Sequence, residues 1–105
     1  MTNTAENLMN CGYTKQDILD LVFLFENQVK LLAPNINSLD EHNIQAEIHK
    51  LKGGCELLLM SSEASELKRL SSTSVSNNVQ RGELRKLLNQ LLQELDSLRT
   101  IVNSN

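Results

Sequence analysis

The run Glu83-Leu84-Arg85-Lys86-Leu87-Leu88-Asn89-Gln90-Leu91-Leu92-Gln93-Glu94-Leu95-Asp96-Ser97-Leu98-Arg99-Thr100-Ile101-Val102 decides the fold class. Leu84, Leu88, Leu91, Leu95, Leu98 and Val102 step by 4, 3, 4, 3 and 4, the spacing that returns side chains to one face of an α-helix. Leu87, Leu92 and Ile101 widen that stripe, which suits a bundle core better than the narrow seam of a two-stranded coiled coil. One long helix is predicted over residues 79–102.

Working outward, the polar run Ser71-Ser72-Thr73-Ser74-Val75-Ser76-Asn77-Asn78 reads as a loop. A short helix over 62–70, starting at Ser61 or Ser62, would bury Leu67 and Leu70. Before it, Ile44, Ile48, Leu51, Cys55 and Leu58 step by 4, 3, 4 and 3, predicting a helix over 39–59 that starts at Ser38, with Glu41 completing an S-x-x-E capping box. Ile18, Val22, Phe25, Val29 and Leu32 predict a helix over 15–32, begun by Thr14 with Asp17 and stopped by Pro34. A short segment, 4–11, ends at Gly12, a residue suited to a left-handed cap. Four amphipathic helices with short connections predict an all-α fold, an antiparallel four-helix bundle of up-down topology with the N-terminal helix as a lid. Residues 1–105 form a single domain in this reading.

Composition supports the class and removes others. Of 105 residues, 40% are hydrophobic but only 3% aromatic, with no Trp, so leucine fills the core and a sheet is disfavoured. A formal charge of −3 and the absence of a basic stripe argue against a nucleic-acid partner, and Tyr13, Phe23 and Phe25 offer no stacking platform. No apolar run reaches the roughly 18 residues of a membrane span. The N-terminal residues lack the basic and apolar regions of a signal peptide, so a cytoplasmic protein is expected, and its start at Met1 without a linker-like leader points to a free-standing one. Cys11 and Cys55, both within apolar helical patterns, are expected as buried free thiols.

One feature conflicts with these rules. Gly53 and Gly54 lie together inside the third helical pattern, and each mid-helix glycine costs about 1 kcal/mol relative to alanine. The alternative is a helix that stops at Lys52 with Gly53 as its cap, but the apolar stripe runs through the pair without a change of phase. On the helical wheel His49 falls on the solvent side of Ile48, and Lys52 (i+3) and Gly53 (i+4) share its face. An exposed imidazole, an ammonium one turn away and a patch without side chains suit phosphoryl transfer. The neutral ring nitrogen of an imidazole is nucleophilic near pH 7. A lysine offsets phosphoryl charge, and a glycine lets a partner's active site close over the ring. His42, seven residues earlier, has no matching Lys or Gly and reads as a surface residue.

At His49, Leu51, Lys52 and Gly53, with Lys50 at the variable position, the sequence resembles the H-x-L-K-G motif of the histidine-containing phosphotransfer (HPt) family of phosphorelays. The layout is similar over nearly the whole chain: a Leu- and Phe-rich helix before the motif, a short helix after it, and a long C-terminal helix. The resemblance implies a four-helix bundle whose histidine accepts a phosphoryl group from the aspartate of one receiver domain and passes it to another. It implies no kinase activity and no cofactor in this chain, the Mg²⁺ residing in the partner receiver domain. His49 is then the phospho-acceptor, Lys52 the charge partner, and Gly53 and Gly54 the clearance for the partner. Gln45, Ala46, Lys50 and Glu56 are the expected docking surface, and a monomer is expected. The sequence departs from the family pattern at Ile48, at Gly54 and at Leu58-Leu59-Met60, where the family has small residues and a Leu-Gly-Ala-like turn.

Two other functions fit the residues less fully. A dimerising hairpin of a sensor kinase would carry an acidic residue after the histidine and a downstream proline, whereas Lys50 follows and the single Pro34 lies upstream. A plain helical interaction module leaves the glycine pair unexplained. A metal site from His42, His49 and Cys55 is excluded because seven residues span about 10 Å of helix, and no phosphate-binding G-x-x-x-x-G-K-[ST] loop is present.

Overall fold

The computed structural model describes residues 4–72 and 78–104. Among the described residues it contains five α-helices, one short 3-10 helix and no strand. The α-helices are α1 (Thr4–Asn10), α2 (Lys15–Leu32), α3 (Glu41–Leu57), α4 (Ser61–Ser71) and α5 (Asn78–Asn103), and the 3-10 helix spans Ala33–Asn35. The molecule measures 42 × 22 × 21 Å. Its long dimension matches α5, whose 26 residues at about 1.5 Å each give a rod of about that length.

Local chemistry sets the ends of these helices. Gly12 takes φ 101°, and the amides of Gly12 and Tyr13 donate to Met9 and Leu8, closing α1 with a left-handed cap. Thr14 and Asp17 form the full reciprocal box at the start of α2: the Asp17 amide donates to Thr14 Oγ1 (3.0 Å) and the Thr14 amide to Asp17 Oδ2 (2.9 Å). After α2, Pro34 sits in the first turn of the 3-10 helix, where its missing N–H costs nothing.

The start of α3 differs from the S-x-x-E reading. The cap is Asp40, whose carboxylate accepts from the Asn43 amide at 2.8 Å. Ser38 instead donates both its hydroxyl and its amide to the Asn35 carbonyl. Held in the turn that follows the 3-10 helix, it is unavailable to cap, and α3 begins at Glu41 rather than at 39. Its end comes at Leu57 rather than 59, because Leu59 turns left-handed (φ 58°). The Leu59 and Met60 amides then donate to Glu56 and Cys55, the bonding pattern of a Schellman cap with leucine where glycine is usual. The polar loop expected over 71–78 lies, for residues 73–77, outside the described residues.

Every residue of the predicted apolar stripes at 18-22-25-29-32, 44-48-51-55-58 and 84-88-91-95-98-102 is buried, as are Leu67 and Leu70. Of the residues that widen the last stripe, Leu87 is buried while Leu92 and Ile101 are half-buried against the core. Helix packing follows the cycle α2–α3–α4–α5–α2, with α1 laid on α2 and α5 through Ala5 and Leu8. Polar ties link the helices at their margins. Arg99 of α5 pairs with the buried Glu26 of α2 and with Asp96, satisfying a carboxylate that would otherwise be costly to bury. Arg69 of α4 bridges to Glu83 of α5 at 2.7 Å, and Arg81 donates to the Ile36 carbonyl. The expectation of two buried thiols holds for Cys55 and fails for Cys11, which is exposed. Cys11 follows the last residue of α1, and the chain turns outward there toward Gly12.

Among the described residues, no helix is long and apolar enough to cross a membrane.

Candidate functional site

α3 continues through both glycines, which rules out a cap at Gly53. The helix buries Ile44, Ile48, Leu51 and Cys55 and turns its opposite ridge outward. His49 stands on that ridge and is exposed. Ala46, three residues before it, is exposed, and Gly53, four residues after it, has open space where a Cβ would project. The imidazole therefore rises between two positions of low profile, one on each adjoining turn.

Lys52, on the same side as His49, is half-buried and makes no ion pair among the described residues. Lys50 is arranged differently, its amine lying 3.2 Å from Glu47 of its own helix. Gln45 is half-buried and Glu56 exposed, both on the Lys52 side of the ridge. His42 is exposed in the first turn, as expected.

The two glycines have different surroundings. A Cβ on Gly54 would come to 3.0 Å from Cδ1 and Cε1 of Phe25, a ring that is only 4% exposed and so has little room to move. At Gly54, α3 packs directly on the Phe25 ring of α2, and helix packing explains this glycine. Of the pair expected to give a partner clearance, only Gly53 faces open space.

Beside this ridge lies a trough between α2 and α3. Leu21, Leu24, Gln28 and Leu31 of α2 form one wall, stepping by 3, 4 and 3, and Asn43, Glu47, Lys50, Gly54 and Leu57 of α3 form the other. Its apolar lobe, about 540 Å³, reaches Gly53; its polar lobe, about 440 Å³, lies toward Asn35. Leu24 (65%), Leu31 (72%) and Leu57 (54%) are exposed along it. Of the expected docking residues only Lys50 lines it. The signal was present in the sequence as a second stripe on α2, hidden beside the stronger core stripe.

Cys55 takes no part in this surface. Burial, reinforced by Glu63 and Glu56, pushes its thiol up to about 12, so it stays protonated and unreactive near neutral pH. Among the described residues no group of three His, Cys, Asp or Glu side chains could hold a metal ion. No protein-family model, curated protein or solved structure matches the chain.

Proposed function

We propose that this protein is a phosphorelay intermediate that carries a phosphoryl group on His49 between receiver-domain aspartates. The observation that carries this reading is the ridge of α3, where an exposed imidazole stands between Ala46 and the open Gly53, beside Lys52, which has no ion pair among the described residues. An ordinary solvent face has no need of a glycine in mid-helix. The cyclic packing of α2 to α5 supports the finer fold reading, an antiparallel up-down four-helix bundle with α1 as lid. The left-handed Leu59 adds support: it takes the backbone conformation natural to the glycine of the HPt-like turn.

In the proposed step, the unprotonated ring nitrogen of His49 attacks the phosphorus of an aspartyl phosphate. A nitrogen–phosphorus bond forms as the acyl oxygen–phosphorus bond breaks, the aspartate leaves as a carboxylate, and the ring's other nitrogen releases its proton to water. The reverse sequence hands the group to the next aspartate. Lys52 offsets the phosphoryl charge throughout; a Mg²⁺ ion, if held by the receiver, would supply further electrostatic stabilisation there. The chain needs no cofactor or kinase activity of its own for this role, and it acts as a monomer in the cytoplasm.

Incubation with phosphorylated receiver domains should place an acid-labile, alkali-stable phosphoryl group on the protein. His49→Gln should abolish it while stability stays within about 0.5 kcal/mol, as expected for an exposed position. Labelling that persists in His49→Gln would sink the assignment. The exposed leucines of the trough favour one second reading, a helical interaction module without chemistry, for which no receiver would label the wild-type chain.

A further inference from the structure

We propose that Tyr13 is a positioning residue for transfer at His49: from the turn between α1 and α2 it clamps the end of α3 and keeps the helix beneath the imidazole wound. The inference rests on the relay reading and adds a residue from outside the site helix.

The clamp joins parts of the chain far apart in sequence. Tyr13 follows the left-handed Gly12, and its amide closes α1 by donating to the Leu8 carbonyl. Its half-buried ring packs against the core. Its hydroxyl donates to the carbonyl of Leu57, 44 residues away, at 3.3 Å. Leu57 is the last residue of α3, so its carbonyl is one of those a helix cannot satisfy from its own amides. The next three amides, of Leu58, Leu59 and Met60, turn back to Gly54, Glu56 and Cys55 instead. The phenol supplies the donor that the backbone does not.

α3 depends on such a tie more than a regular helix does. Beyond His49 its local preferences oppose it: Gly53 and Gly54 are poor helix formers, and Leu59 holds a left-handed conformation (φ 58°) that a side chain disfavours. Helix ends open before helix centres. In an α-helix the i+4 amide donates to each carbonyl, so the His49 carbonyl relies on Gly53. Unwinding from Leu57 back to the glycines would therefore remove the support beneath the ring, and in-line transfer depends on a ring held in place. Leu51 and Cys55 anchor the buried side of this segment, while Tyr13 anchors its end. The bond is long and exposed, so its effect falls on this local opening rather than on the stability of the whole bundle.

The test uses the full chain, with residue-resolved amide hydrogen exchange and transfer kinetics from whichever receiver domain of a purified panel labels His49 fastest. Tyr13→Phe keeps the ring and removes the hydroxyl. It should speed exchange at residues 57–60 about two- to tenfold and leave α5 unchanged. It should also lower kcat for transfer about threefold, with KM within about twofold. Gly12→Ala strains the turn that carries Tyr13 and should reproduce both effects, adding little to Tyr13→Phe because the two act on one clamp. Leu59→Gly, which relaxes the left-handed turn, should return both readouts of Tyr13→Phe toward wild type. Unchanged exchange at 57–60 in Tyr13→Phe would overturn the clamp and leave the relay reading standing. Faster exchange with an unchanged kcat would reduce Tyr13 to a structural tie and overturn its role in transfer. If no receiver labels His49 in the wild-type chain, the relay reading fails and the positioning role falls with it.

Discussion

α5 and α3 bury equivalent apolar stripes in the same core, but their outer faces are built differently. The solvent side of α5 carries Arg85, Lys86, Asn89, Gln90, Gln93 and Glu94, all exposed; all but the asparagine favour helix, and all are solvated freely. That of α3 carries Ala46, His49 and Gly53, beside a lysine with no ion pair among the described residues. Past its first turns, where Gly82 also faces open space, α5 is long-chained outside, whereas the middle of α3 is cut down to Ala46 and Gly53 on either side of His49, at a cost to helix stability. The adjacent glycines of α3 show the same contrast at the smallest scale, one fixed by Phe25 and the other facing open space.

This comparison can be broken by mutation. The largest effect is expected in the core of α5: Leu91→Ala, at a fully buried site, should cost about 2–5 kcal/mol in urea unfolding while folded protein still accepts label on His49. Next, Gly54→Leu forces a side chain into Phe25 and should cost about 1–3 kcal/mol by the same measurement. Gly53→Ala should act in the opposite direction, stabilising by up to about 1 kcal/mol through helix propensity alone. Equal effects at the two glycines would erase the distinction between them. The smallest effect concerns the end of α3. Leu59→Gly relieves a left-handed leucine, a gain partly offset by greater freedom of the unfolded chain, and should leave a net stabilisation of about 0.5 kcal/mol. A thermal melt that falls rather than rises would show that Leu59 has packing value outweighing its strain.

Much of this was legible in the sequence because helices announce themselves through short-range periodicity. The stripes of α2, α3 and α5 and the caps at Thr14 and Gly12 depend on residues three or four apart, and so did the exposure of His49 and its nearness to Lys52 and Gly53. The errors share a cause as well. Ser38 satisfies local capping chemistry as well as Asp40 does, and the choice between them is made by the turn at Asn35 that captures Ser38. Cys11 was assigned to the interior because its neighbours are apolar, but it falls just beyond the last turn of α1. The stripe at 21-24-28-31 was present in α2, yet periodicity gives the angle between two faces of a helix without saying what covers either.

The sequence by itself thus determined which segments are helical, which face of each is apolar, and that α3 carries an imidazole, an ammonium and a glycine on one side. These are properties of a single helix, fixed by covalent geometry and a 3.6-residue turn. Only the tertiary structure decided that Gly54 serves Phe25 while Gly53 stays open, and that, among the described residues, Lys52 has no acidic partner and α1 covers one groove while none covers the groove beside His49. Those outcomes depend on distances between residues far apart in the chain, which packing sets and local periodicity does not encode.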